Sequence, residues 1–106
     1  MPGQSDRQRE RLEVEEDRLF QALCTLRTPE EARAFMLDVC STREIEDLSQ
    51  RLQVATLLRG GSSYVSVSES TGASSTTVSR VSKCLNGPAG GYRLVLSRLD
   101  GPRAED

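Results

Sequence analysis

Residues 64–85 read YVSVSESTGASSTTVSRVSKCL, and their pattern gives the clearest indication of the fold. Its first five residues alternate valine with serine, and by propensity alone they favour a β-strand. Gly72, however, divides the stretch into two segments of helical spacing, and a glycine suits a tight turn between two helices. With Tyr64 as the first position, Val67 lies on the inner face of the first helix, and Val78 and Val81 lie on the inner face of the second. The stretch is therefore predicted to be a helix-turn-helix rather than a strand.

Three residues around the predicted turn fit this interpretation to different degrees. Ser68 is small at the point where the two helices cross, and Ala73 supplies an apolar side chain just after the turn. Thr71 is a compromise, because an apolar residue would pack better at its position. Two short helices joined through Glu-Ser-Thr-Gly-Ala-Ser are typical of a DNA-binding motif, although a plain helical hairpin has the same outline.

Seven polar residues are predicted to face outward from the second helix and to form the DNA-binding surface. They are Ser74, Ser75, Thr76, Thr77, Ser79, Arg80 and Lys83. Short hydroxyl side chains near a helix start can cap the helix and approach base edges or phosphates. Arg80 can reach guanine or phosphate, and the threonine methyl groups can touch thymine methyl groups. Lys83 and the later Arg93 are expected to contact phosphate, which positions a protein on DNA without specifying sequence.

The charge distribution supports this prediction better than the net charge of −2 does. Residues 1–40 carry six arginines against nine acidic residues, and residues 41–99 carry seven basic residues against four acidic ones. Between Arg59 and Arg98 there are five basic residues, and Glu69 is the single acidic one. A basic module between acidic flanks indicates an anionic partner, although ordinary solvated charge remains the alternative.

The rest of the chain is predicted to be helical. Apolar spacing from Gln8 to about Arg27 predicts a first helix, with Leu12, Leu19, Leu23 and Leu26 in its stripe. Thr28, Pro29 and two glutamates predict the start of a second helix that ends near Cys40. Ser41 and Glu44 fit a capping box for a third helix over about 42–59, which a Gly-Gly pair ends. Its predicted apolar positions are Ile45, Leu48, Leu52, Ala55, Leu57 and Leu58.

The end of the chain predicts a short apolar helix after a loop. Residues 86–91 read Asn-Gly-Pro-Ala-Gly-Gly, and residues 92–99 are mostly apolar. Such a helix must pack on the body of the protein or on a second subunit. With 36% hydrophobic and 4% aromatic residues, the chain offers a thin core, so we expect a homodimer. Residues 1–7 and 100–106 are expected to be flexible.

Composition argues against several other classes of protein. Histidine is absent, and the three cysteines form no close pair, so neither a metal site nor a disulfide framework is expected. Two of the cysteines are expected in the core. No nucleophile motif, glycine-rich phosphate loop or carboxylate pair suggests an enzyme, and no cofactor is expected. The charged N-terminus does not resemble a signal peptide, and no apolar run approaches the roughly 18 residues of a membrane span. A cytoplasmic protein is expected.

The sequence resembles the Trp repressor-like superfamily, and within it the YerC/YecD-type branch. The matching stretches are LFQALCTLRTPEEARAFMLDVCSTREIEDLSQRLQVATLLRGG, TGASSTTVSRVSKCLN and GGYRLVLSRL, which lie within residues 18–99. The resemblance implies an all-α, intertwined bacterial homodimer of about six helices, with residues 8–99 as one Trp repressor-like domain. It also implies that paired reading helices enter successive major grooves of duplex DNA.

Carried over by position, the resemblance places the reading residues at Ser75, Thr76, Thr77, Ser79 and Arg80. Arg80 also matches an arginine that lines the tryptophan pocket of the Trp repressor, whereas Gln50 stands where that pocket has its second arginine. An amide cannot replace a guanidinium that clamps a carboxylate, so tryptophan is not expected to be the corepressor. Val65 and Ser68 stand where the Trp repressor has basic residues.

Sequence alone leaves three functions open. The leading prediction is a sequence-specific DNA-binding regulator that acts as a repressor. The second is a repressor whose DNA affinity depends on a small molecule held between the third helix and the reading helix. The third is a helical adaptor that binds other proteins and makes no contact with DNA.

Overall fold

The computed structural model describes residues 4–101. The predictions of flexibility for residues 1–3 and 102–106 therefore lie outside the described residues. The secondary structure of the described part of the chain consists of α-helices joined by short loops, with no strand. The helices are α1 (Gln4–Leu23), α2 (Pro29–Val39), α3 (Thr42–Arg59), α4 (Tyr64–Thr71), α5 (Ser75–Leu85) and α6 (Gly91–Asp100). The chain divides into two compact units, residues 1–41 and residues 42–106. The all-α prediction is confirmed.

The first unit contains α1 and α2. α1 begins at Gln4, earlier than the predicted start near Gln8, and the carboxylate of Asp6 in its first turn interacts favourably with the helix dipole. α1 ends at Leu23 rather than near Arg27. Just after this end, the hydroxyl of Thr25 donates to the carbonyl of Ala22 at 2.6 Å. Local side-chain hydrogen bonding of this kind competes with helix continuation.

The predicted start of α2 is confirmed in detail. The hydroxyl of Thr28 accepts from the amide of Glu31 at 3.1 Å, and the carboxylate of Glu31 accepts from the amide of Arg27 at 2.9 Å. Pro29 occupies the first helical position, where its missing amide hydrogen costs nothing. The chain therefore changes direction at a well-satisfied cap.

Apolar side chains of the first unit remain open to solvent. Phe20 and Val39 are more than half exposed, and no residue of α2 is buried. Leu12, Leu19 and Leu23, which the predicted stripe of α1 contains, are each exposed by 40% or more. Leu26, the fourth residue of the predicted stripe, lies beyond the end of α1, and the described chain buries none of the four leucines.

The second unit holds the core and the predicted helix-turn-helix. Eight apolar residues are buried there: Val54, Ala55, Val67, Ala73, Val78, Val81, Leu85 and Leu96. They come from α3, α4, α5 and α6, so these four helices share one core. The three valines that sequence placed on the inner faces of α4 and α5 are buried to 2% exposure or less. That prediction is confirmed.

The prediction for α3 was partly wrong. Val54 is completely buried although it was not among the predicted apolar positions, whereas Leu48 is 40% exposed. Val54 and Ala55 are adjacent, so the sequence pattern fits two slightly different orientations of α3 about its own axis. In the structure, packing against the other helices gives the orientation that buries both residues. Gly61 follows the helix in the left-handed region at φ +94°, as the Gly-Gly pair predicted.

α6 packs on the core through Leu96. Two arginines donate hydrogen bonds to backbone carbonyls at the C-terminal ends of α5 and α6. Arg93 donates to the carbonyl of Leu85 at 2.6 Å, and Arg59 donates to the carbonyl of Gly101 at 2.7 Å. These guanidiniums occupy carbonyls that the last turns of α5 and α6 leave without helical partners. Leu94, Val95 and Leu99 remain exposed on the other faces of α6.

The cysteines depart from the prediction of core positions. Cys24 and Cys84 are exposed, and Cys40 is half-buried. Within residues 4–101, no helix combines the length and the apolar character that crossing a lipid bilayer requires.

Candidate nucleic-acid interface

The turn between α4 and α5 is built from short polar side chains around one glycine. Gly72 adopts φ +76°, a conformation that strains any residue carrying a Cβ atom. Ser68 donates to the carbonyl of Ala73 at 2.6 Å, which ties α4 to the first residue beyond the turn. Thr71 donates to the carbonyl of Val67 at 2.7 Å and accepts from the amide of Ala73 at 3.2 Å. Thr71 is thus a hydrogen-bonding residue of the turn rather than a poor apolar one.

The start of α5 is capped by a residue that sequence placed on the DNA-binding surface. The hydroxyl of Ser74 accepts from the amide of Thr77 and donates to the hydroxyl of Thr77, both at 3.1 Å. These bonds occupy most of the hydrogen-bonding capacity of Ser74. Its main contribution is therefore to end the turn and to start α5.

The remaining predicted site residues lie along one helix, but they differ in exposure. Ser75, Thr76, Arg80 and Lys83 are exposed, whereas Thr77 and Ser79 are half-buried. Val78 and Val81 alternate with them and anchor the opposite face of α5 in the core. Within residues 4–101, Arg80 and Lys83 form no ion pair and no side-chain hydrogen bond. α5 therefore presents two unpaired cationic side chains and two exposed hydroxyl side chains to solvent, while its opposite face is buried in the core.

An open cavity of about 690 Å³ lies between α3, the turn and α5. Arg80 and Gln50 both line it, so the structure brings together the two residues that the resemblance placed at one pocket. The amide nitrogen of Gln50 donates to the carbonyl of Thr71 at 3.2 Å, beside Gly72.

Sequence reasoning missed two further arginines on this cavity. Arg43 and Arg51 project from α3 and line it together with Arg80, and Arg43 pairs with Asp47 at 3.2 Å. Arg51 lies 29 residues before Arg80 in the chain, and Arg43 lies 37 residues before it. Only the packing of α3 against α5 brings the three together. Asp47 lines the cavity as well, so three guanidiniums and one carboxylate surround it and the net charge of its lining is positive.

Comparison with known proteins assigns the family. The sequence model of the Trp repressor protein family matches residues 15–100. The chain belongs to the Trp repressor family. Its sequence is 41% identical to that of YerC of Bacillus subtilis strain 168, a protein of uncharacterised function, over 89 residues that cover 84% of this chain and 86% of YerC.

Two solved structures of the Trp repressor type share the fold. A TrpR-like protein from Eubacterium eligens is 44% identical, with a TM-score of 0.75 over 82% of this chain and 90% of that one. A candidate Trp repressor from Staphylococcus aureus is 38% identical, with a TM-score of 0.79 over 85% of this chain and 90% of that one. The family assignment makes this chain a member of a group with a regulatory, DNA-binding fold.

In this member of the Trp repressor family, the outer face of α4 carries little positive charge. Val65 is 68% exposed, Ser68 is half-buried, and Glu69 is exposed nearby. These three residues and Ser75 line a shallow, mostly apolar cavity of about 340 Å³ between α4 and the start of α5. The cations of the motif are thus carried by α5 rather than by α4.

Proposed function

We propose that the protein is a sequence-specific DNA-binding repressor in the bacterial cytoplasm that reads the major groove with α5. The observation that carries the proposal is Arg80, exposed and unpaired within the described chain, on a helix anchored by buried Val78 and Val81. A glycine turn of left-handed geometry precedes this helix, and exposed Ser75 and Thr76 lie in its first turn. An arginine can donate two parallel hydrogen bonds to guanine, and hydroxyls can contact base edges or phosphates.

The working unit in this proposal is a homodimer. The apolar side chains left exposed on α1, α2 and α6, Phe20, Leu37 and Leu99 among them, are too numerous for a stable monomer surface. A second copy supplies complementary apolar surface by symmetry, and it also supplies a second reading helix. Two reading helices about one helical turn of DNA apart would read a palindromic operator.

Selection of bound duplexes from a random library tests this function. We expect enriched sites with two inverted half-sites whose centres lie roughly 34–36 Å apart along the duplex, or a multiple of that distance. Binding should weaken as salt rises, because phosphate contacts release counterions. Failure to enrich any sequence, together with an absence of salt-dependent binding, would support the protein-interaction adaptor instead.

The cavity beside the turn supports a second candidate, a repressor that responds to a small anionic effector. Three guanidiniums line the cavity, those of Arg43, Arg51 and Arg80. Tryptophan is not the expected effector, because Gln50 is engaged with the turn and offers no second clamp for a carboxylate there. Calorimetric titration with tryptophan should give no binding tighter than about 1 mM, which is about −4 kcal/mol. A micromolar dissociation constant would contradict this expectation.

A further inference from the structure

Side-chain hydrogen bonds hold α4 at both of its ends. At the first residue, the hydroxyl of Tyr64 donates to the hydroxyl of Ser82 on α5. At the last residue, the carbonyl of Thr71 accepts from the amide nitrogen of Gln50 on α3, at 3.2 Å. One bond therefore ties α4 to the reading helix, and the other ties it to the supporting helix.

Apolar packing alone does not determine the orientation of a helix as short as α4. The helix has eight residues, and Val67 is its one buried side chain. Apolar burial has no preferred direction, so a single buried valine resists a tilt of the helix about that contact only weakly. Hydrogen bonds depend on distance and angle, and two of them at opposite ends resist such a tilt.

We propose that Gln50 and Tyr64 are positioning residues that hold the helix-turn-helix at the angle needed for DNA reading. This inference rests on the proposed DNA-binding function. Loss of the Tyr64–Ser82 bond lets the start of α4 move relative to α5, and loss of the Gln50–Thr71 bond lets the turn move away from α3. Either movement changes the position of α4 and the turn, and with them the start of the reading helix, without removing a group that faces the bases.

Both bonds can break without unfolding the core. Tyr64 is 52% exposed and lines an open cavity of about 420 Å³ together with Ser82, whereas Gln50 lines the cavity of about 690 Å³. Water can replace either partner, so the thermal stability should change little. The expected effect of breaking a bond is a loss of operator discrimination in a folded protein.

The test is a double-mutant cycle on the full chain with Tyr64→Phe, Ser82→Ala and the double variant. Fluorescence anisotropy gives the affinity for a duplex selected by the wild type and for a scrambled duplex. Each single variant should bind the selected duplex roughly two- to tenfold more weakly, and the double variant should lose no more than either single variant. Affinity for the scrambled duplex should not change. Tyr92→Phe is the matched control, because no hydrogen bond of its hydroxyl occurs in the described part of the chain.

Gln50→Met tests the other end of α4, since methionine keeps the length of the side chain and lacks the donor. It should lower operator affinity to a similar extent, whereas Gln53→Met on the same helix, at an exposed position, should have no effect. Wild-type affinity for Gln50→Met and for both single variants of the Tyr64–Ser82 pair would overturn the inference and leave the proposed function intact. Additive losses in the cycle, or equal losses on both duplexes, would also overturn it, because they indicate direct DNA contact or unfolding. If the wild type itself binds no duplex, the proposed function fails and the inference fails with it.

Discussion

Arg80 combines the features of a base-reading or phosphate-binding residue. Its neighbours Val78 and Val81 are buried, so the backbone that carries Arg80 is fixed while its side chain extends into solvent. Within residues 4–101 no carboxylate pairs with it. A guanidinium held in this way loses less freedom on binding than one on a flexible loop.

Arg80→Ala should weaken DNA binding without unfolding the protein. If Arg80 reads a guanine, the loss should be about 1–3 kcal/mol on the selected duplex, with relaxed preference at one base pair. If it contacts phosphate alone, the loss should be equal for all sequences and the salt slope should fall by about one unit. Titrations of both duplexes at several salt concentrations separate these outcomes.

Arg98→Ala is the matched control for Arg80→Ala, because it removes the same charge from an exposed position on α6. Its effect should be well under 1 kcal/mol. If Arg80→Ala behaves like this control while circular dichroism shows an intact fold, α5 does not read DNA through Arg80.

At the scale of single elements, Gly72 shows how one backbone angle shapes the motif. Its φ of +76° lets α4 end and α5 begin within three residues. A Cβ atom at this position would meet no neighbour closer than the amide nitrogen of Gln50 at 4.0 Å, so space is available and the strain lies in the backbone.

Gly72→Ala should destabilise the protein by about 1–2 kcal/mol, because an L-residue with a Cβ atom pays this amount in the left-handed region. Thermal unfolding followed by circular dichroism measures the loss. Gly91→Ala is the control, since Gly91 begins α6 with a negative φ and open space around it. An unchanged midpoint for Gly72→Ala would contradict the turn geometry described above.

The helix-turn-helix was predictable because its signals are local. The spacing of Val67, Gly72, Val78 and Val81 fits two helices and a turn, and it outweighed the strand propensity of the first five residues. The role of Ser74 was less predictable, because a hydroxyl at a helix start suits both a cap and a DNA contact. The arginines of α3 were not predictable as cavity residues, because their approach to Arg80 depends on packing between distant segments.

The whole molecule leaves much apolar surface uncovered. Exposed large apolar side chains occur on α1, α2, α3, α4 and α6, with Phe20 on α1 and Leu99 on α6 at 56% and 64% exposure. Sequence predicted some of these residues as parts of apolar stripes, but it could not show which are buried within one chain and which need a partner. A second copy of the chain is the simplest partner that could cover the exposed apolar side chains of α1 and α2.

A homodimer is therefore expected at micromolar concentration, and sedimentation equilibrium should give twice the chain mass of 11.7 kDa. Phe20→Glu should weaken the dimer, because it puts a charge on the apolar face of α1. Gln21→Glu adds the same charge at a neighbouring exposed polar position of α1 and serves as the control. A folded, cooperative monomer at that concentration would contradict the dimer.

Nuclear magnetic resonance titration of the ¹⁵N-labelled full chain with its selected duplex tests most directly whether α5 reads DNA. We predict that the largest amide shifts fall on residues 74–83, and that they shrink when the salt concentration is raised or the duplex is scrambled. We also predict smaller shifts in α4 and little change in the buried part of α3. Shifts absent from α5, or concentrated on α1 and α2 with the selected duplex in excess, would contradict the claim that this helix reads DNA.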